Sequence, residues 1–170
     1  EGLNVPAILD YLSLNRKNLL KDYTEEGMSR ITNEELLEMD ARVLVPAALE
    51  NQINASNAHK IRAEIIVEAA NGPVAADADE ILRDRGITVV PDILANAGGV
   101  VVSYFEWVQN IQSVSWTEEE VNEKLKDIMD PAFEAVWDIS QKQNATMRTG
   151  AYLIAVKRVV EAKAARAIWP

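Results

Sequence analysis

Val89-Val-Pro-Asp-Ile-Leu-Ala-Asn-Ala-Gly-Gly-Val-Val-Val-Ser-Tyr-Phe-Glu-Trp-Val-Gln109 is the stretch on which the fold turns. An apolar run ends at Pro91 and Asp92, and a small-residue connection, Asn96-Ala97-Gly98-Gly99, opens into a second apolar run. Proline cannot donate to a sheet ladder and paired glycines free the backbone, so a strand is expected to end here and a helix to begin after Gly99. The first amides of a helix lack intrahelical partners and sit at the positive end of its dipole. Asn96 and the two glycine amides are therefore candidates to face an anionic or amide group of a small molecule. The same residues serve equally well as a strand-to-helix connection that binds nothing.

Upstream of this stretch, Arg42 to Pro46, Ala63 to Val67 and Ile87 to Val90 are short apolar, β-branched runs bounded by turn or helical segments, which reads as buried parallel strands. Between the last two, Ala75 to Arg85 is helical and closes on Gly86, a residue suited to the left-handed position after a helix. Strand, helix and strand with short connections predict a crossover unit. The fold class is α/β, a partial doubly wound, Rossmann-like parallel sheet followed by C-terminal helices. Asn4 and Pro6 start an earlier helix running to about Lys17, Asp22 to Arg30 is an exposed loop, and Thr32-Asn-Glu-Glu35 is a capping box with Leu36 and Leu37 on the inner side. Downstream, Thr117-Glu-Glu-Glu120 is a second capping box. Val121, Leu125, Ile128, Met129, Ala132, Val136 and Ile139 then form one apolar stripe. A last helix from about Thr146 to Ala167 repeats the spacing with Tyr152, Ala155, Val156, Val159 and Val160.

Composition narrows the function classes. A chain of 170 residues holds one domain with a real core, and no apolar stretch approaches the roughly 20 residues of a membrane span, so no membrane partner is expected. A formal net charge of −10 with scattered basic residues argues against nucleic acid. With no cysteine and only His59, no metal site is expected, and the absence of disulfides is consistent with cytosol. The chain opens on Glu1 without a leader pattern, which is expected of a piece of a longer polypeptide. The seven glycines, at 2, 27, 72, 86, 98, 99 and 150, cannot spell G-x-G-x-x-G or a P-loop, so the pyrophosphate cradle is not written in this chain.

Several residues stand where an open α/β sheet gathers ligands. Pro46-Ala47-Ala48 follows a strand end, and two alanines allow a flat ring or a sugar close approach, or simply pack. Asn71-Gly72 ends the next strand and is also an ordinary turn dipeptide. Ser103 lies one turn beyond Val100 on the same helical face, where its hydroxyl can meet a distal carboxylate or bond back to a carbonyl. Tyr104, Phe105 and Trp107 read as core or hinge packing. Glu50, Glu68 and Glu106 have no visible partner, so no acid–base pair is assigned.

Three segments, Val43-Leu-Val-Pro-Ala-Ala-Leu-Glu-Asn-Gln-Ile53, Ile66-Val-Glu-Ala-Ala-Asn-Gly-Pro73 and Pro91 to Trp107, stand in an order and at a spacing that resembles the coenzyme domain of the glutamate dehydrogenases. Those belong to the Glu/Leu/Phe/Val amino-acid dehydrogenase superfamily, and the likeness is to the bacterial or archaeal hexameric kind. It runs from about Gly2 to the last helix. The resemblance implies a C-terminal fragment, with residues 1–112 the latter part of the coenzyme-binding domain and 113–170 the C-terminal helices packed on it. It implies a cytoplasmic homo-oligomer, a hexamer, that uses NAD or NADP to convert L-glutamate to 2-oxoglutarate and ammonia. Ala47, Ala48, Asn71 and Asn96 are then the cofactor-binding candidates, Asn96 being placed to meet the nicotinamide amide or the substrate α-carboxylate. Val100 and Ser103 are the candidates to fit glutamate's side chain.

The family's catalytic lysines, catalytic aspartate and glycine-rich loop lie upstream of this chain. No catalytic residue is therefore expected within it, and the chain alone is expected to be inactive and to expose apolar surface where the rest of the sheet would pair. Ala69 replaces a usual glycine and Val74 a common threonine, which tightens the loop after the second strand. The last two helices are joined without the long antenna of animal relatives. Two alternatives remain: a non-catalytic interaction module using its exposed helix stripes, and a leucine- or phenylalanine-type relative. Ser103 argues against the second, because an apolar substrate calls for an apolar residue there.

Overall fold

The computed structural model describes residues 2–166, in two compact units divided between Leu36 and Leu37. In the first unit, helix α1 (Val5–Leu14) starts as predicted: Asn4 Oδ1 accepts from the Ala7 amide at 3.3 Å and Pro6 sits in the first turn. The helix ends at Leu14 rather than near Lys17. Asn15 is extended and its side-chain oxygen accepts the Lys17 amide at 3.0 Å, a local bond that competes with the helical ladder. Helix α2 (Asn33–Leu37), whose last residue belongs to the second unit, has both halves of its capping box, with Thr32 Oγ1 accepting from the Glu35 amide and Glu35 accepting from the Thr32 amide. Leu37 is buried, whereas Leu36, also placed on the inner side by the sequence, is exposed.

The second unit is built on a parallel sheet of β1 (Val43–Leu44), β2 (Ile65–Val67) and β3 (Thr88–Val90), in that spatial order. β1 is shorter than the predicted run from Arg42 to Pro46. The carbonyl of Pro46 takes the amides of both Ala69 and Ala70, so the two chains diverge there instead of continuing their ladder. Helix α3 (Ala76–Asp84) fills the β2–β3 connection, and Gly86 at φ +76° reverses the chain into β3.

The alternation of β3 sends neighbouring valines to opposite faces of the sheet. Val89 packs against a core of Ile53, Ile61, Ile66, Ala78 and Leu82, and Val90 against Leu94, Val136, Met147 and Ala151. With apolar packing on both faces, β2 can read Ile-Ile-Val without the polar alternation of a half-solvated strand.

Past β3 the backbone departs from the sequence expectation. The segment from Pro91 to Gly99 is not a loop but two helices, α4 (Asp92–Ala95) and α5 (Ala97–Gln112), joined at Asn96. Gly98 and Gly99 lie within the first turn of α5, and neither takes a positive φ. The poor helix propensity of glycine is overridden in a helix that packs on the one that follows it, where a β-carbon added to Gly98 would lie 3.6 Å from Leu125. Phe105 is buried as expected, but Tyr104 and Trp107 are exposed, their ring centroids 5.9 Å apart.

Helix α6 (Glu118–Gln143) begins in a complete Thr117–Glu120 capping box and turns its predicted stripe inward, apart from the exposed Ile128. Helix α7 (Met147–Ala165) starts at Thr146 as predicted; its expected end at Ala167 lies outside the described residues. Its inner face is Met147, Gly150, Ala151 and Ile154, whereas Tyr152, Val156, Val159 and Val160 of the predicted stripe are exposed. The cause is a close crossing of α6 and α7. A β-carbon on Gly150 would lie 3.0 Å from the Val136 carbonyl and 3.0 Å from Ile139 Cγ2. Small residues are selected at such a contact, and hydrophobic periodicity follows large ones. No helix among the described residues is long and apolar enough to cross a membrane.

Gly150→Val is expected to cost about 1–3 kcal/mol by overpacking against a main-chain oxygen that cannot withdraw, read as a shift of the urea midpoint. Gly99→Ala, whose β-carbon meets nothing within 4 Å, is expected to be neutral or stabilising. Equal midpoints for the two variants would contradict the close crossing.

Candidate functional site

The carboxyl ends of the strands open onto one cleft. Ala47 and Ala48 follow β1, Ala69 to Asn71 follow β2, and Asn96 follows β3 by way of α4; together with Leu49 and Glu50 they line it. This is where an open parallel sheet binds ligands, because the connections diverge from the strand ends and leave a crevice. The four residues predicted to contact a cofactor thus share one lining.

Asn96 does not cap α5, as its side chain turns back toward the β2 connection. Its Nδ2 donates to Asn71 Oδ1 at 2.8 Å and approaches the Ala70 and Ala69 carbonyls at 3.3 and 3.4 Å. The Gly99 amide, expected to be free for a ligand, donates to the Asn96 carbonyl at 3.2 Å. What the asparagine pair leaves to the cleft is one acceptor, Asn96 Oδ1, and one donor group, Asn71 Nδ2. The turn that presents Asn71 depends on Gly72 at φ +58°.

Val100 and Ser103 do not belong to that lining. They sit farther along α5, both exposed, on a face continued by Tyr104, Trp107 and Ile111. Within the described residues this face meets solvent.

Beneath the cleft lies a cluster that sequence reasoning missed. Glu68, read above as a carboxylate without a partner, is fully buried at the end of β2. Its Oε1 accepts from Arg148 Nη2 at 2.7 Å and from the Val74 amide at 3.2 Å, while Oε2 accepts from the Asp92 amide at 2.7 Å. Arg148, in the first turn of α7, also donates through Nε to Asp79 at 2.6 Å and through Nη1 to Asp92 at 3.2 Å. Asp92 in turn accepts the Gly72 amide at 2.8 Å. Burial lowers the pKa of the Arg148 guanidinium, but hydrogen bonds to Glu68 and Asp79 outweigh it and hold the pKa above its ordinary value. The one hint in the sequence is a glutamate continuing an Ile-Ile-Val strand, which demands a buried cation. Nothing local names Arg148, 80 positions away.

Residues 1–167 match the family described as Glutamate/Leucine/Phenylalanine/Valine dehydrogenase. The chain is 57% identical, over all of its length, to glutamate dehydrogenase of Thermotoga maritima, and covers 40% of that protein. It is 52% identical over 91% of its length to NAD-specific glutamate dehydrogenase of Staphylococcus aureus (strain COL), covering 37% of it. Among solved structures, the hetero-hexameric glutamate dehydrogenase from Thermus thermophilus, in its Leu-bound form, superposes with a TM-score of 0.85 at 30% identity. That match covers 100% of this chain and 39% of the other. The chain thus spans about two fifths of the length of the curated relatives it matches.

Arg148→Ala leaves Glu68 buried without its cation, and is expected to cost about 3–5 kcal/mol in denaturant unfolding. Arg42→Ala removes the Arg42–Glu64 pair, whose side chains are 83% and 66% exposed, and is expected to stay within about 1 kcal/mol of the parent. Similar losses for the two would show that burial of the Arg148 cluster carries no energetic weight.

Proposed function

The chain belongs to the Glutamate/Leucine/Phenylalanine/Valine dehydrogenase family, and from that premise we propose that it forms the nicotinamide side of the coenzyme domain of a glutamate dehydrogenase. On this reading residues 1–112 are the latter part of that domain and 113–170 are its C-terminal helices. The whole protein is a cytoplasmic homo-oligomer, a hexamer, that oxidises L-glutamate to 2-oxoglutarate and ammonia with NAD or NADP.

The observation that carries the reading is the convergence of Ala47, Ala48, Asn71 and Asn96 on one cleft at the strand ends. The donor group and acceptor left by the Asn71–Asn96 pair complement a carboxamide, which has one of each. Alanines at 47, 48, 69 and 70 keep the wall low enough for a ring and a sugar to approach the backbone. The bound dinucleotide supplies the hydride-accepting ring, and the residues of this chain orient it and exclude water. On α5, Val100 and Ser103 are proposed to fit the substrate's side chain, with the Ser103 hydroxyl donating to the distal carboxylate. Their exposure supports a role completed by parts of the protein that this chain does not span.

Ser103→Val in the full-length protein tests the substrate assignment. Losing a hydrogen bond to a charged group is expected to cost about 1.5–3 kcal/mol, or about ten- to over a hundredfold in kcat/KM for glutamate. Norvaline turnover is expected to fall less or to rise, since it leaves no buried charge unpaired. An equal fall for both substrates would reduce Ser103 to packing.

A further inference from the structure

The Arg148 cluster and the cleft are two ends of one construction. Asp92 receives the Gly72 amide, and Gly72 directly follows Asn71. Asp92 also opens the single helical turn of α4 that Asn96 closes, and the Asn96 amide donates to the Asp92 carbonyl at 3.1 Å. Glu68 clamps the same two connections from below, through the Val74 amide on one side and the Asp92 amide on the other. One guanidinium binds both carboxylates and is itself fixed by Asp79 on α3. The Asn71–Asn96 hydrogen bond thus joins two connections that Arg148, outside the cleft lining and at the start of α7, ties together through Glu68 and Asp92.

We propose that Arg148 is a positioning residue: acting through Glu68 and Asp92, it holds Asn71 and Asn96 in the register in which their side chains meet a carboxamide. The inference rests on the cofactor reading above. Its geometry demands an arginine, because three nitrogens of one planar fork reach three carboxylates. A lysine keeps the charge but brings a single nitrogen, and cannot hold Glu68, Asp79 and Asp92 together. Coupling through α7 also ties the cleft to a helix that packs on α6.

The test uses Arg148→Lys and Asp92→Asn in the full-length protein, with Leu82→Ala as a core variant outside both the ion pairs of the cluster and the cleft lining. Binding is measured for the reduced dinucleotide and for ADP-ribose, which lacks the nicotinamide ring. In both test variants dinucleotide binding is expected to weaken about 10- to 100-fold, the scale of losing two hydrogen bonds, with ADP-ribose binding within about twofold. Leu82→Ala, which lowers the melting temperature by a different route, is expected to leave the ratio of the two affinities unchanged. If the test variants weaken both ligands equally, or neither, Arg148 is only a structural tie and the proposal fails. If the parent protein binds no dinucleotide, the cofactor reading is what fails. In that case a crystal structure of Arg148→Lys decides the proposal: an Asn71–Asn96 contact kept at its parent length overturns it, and a broken contact supports it.

Discussion

A fully buried glutamate at the end of the central strand is the constraint around which the second unit is arranged. Glu68 in a dry interior is tolerable only with a cation and several hydrogen bonds, and the cation comes from α7 rather than from the sheet. That requirement brings the start of α7 to the sheet's carboxyl edge and beside Asp79 of α3. It also closes the two loops that bound the cleft. Three carboxylates facing one guanidinium would repel one another, but the amides of Gly72, Val74 and Asp92 also point into the cluster, so hydrogen bonding supplements the single positive charge. Among the described residues no buried side-chain nitrogen or oxygen is left without a partner.

The cleft sits above this cluster because parallel strands leave their carboxyl ends as the common exit of every connection. β1 and β2 separate at Pro46, whose carbonyl binds the amides of Ala69 and Ala70. The third wall comes from α4, a helix of one turn whose beginning belongs to the cluster and whose end is Asn96. Buried ion pairs add little net stability compared with apolar packing, yet they have one geometry where packing has many, and here that geometry lies at the two connections whose asparagines meet.

The apolar face of α5, with Val100, Tyr104, Trp107 and Ile111, and that of α7, with Tyr152, Val156, Val159 and Val160, remain exposed. The chain spans about two fifths of its curated relatives, and these faces are where its own packing stops.

Much of this was legible from local rules. The capping of α1, the two Thr/Glu capping boxes, the left-handed turn at Gly86 and the inward stripe of α6 need only residues three or four apart to interact, so short windows reveal them. That Ala47, Ala48, Asn71 and Asn96 gather at one edge of the sheet was legible too, because each lies beyond the end of an apolar strand in a parallel sheet. Local rules erred where a distant contact decided the outcome. The glycine pair reads as a loop, yet it lies in the first turn of α5, a helix that packs on α6, and the large residues of α7 read as its inner face until Gly150 draws that helix onto α6. A parallel α/β unit with a cleft at its strand ends can be read from the residues alone, since strand and helix periods and the residues that end them are properties of neighbours. That Glu68 has a partner, and that the partner is Arg148, emerges only once the chain is folded, because burial turns an unpaired charge from harmless to prohibitive, and burial is set by the whole chain at once.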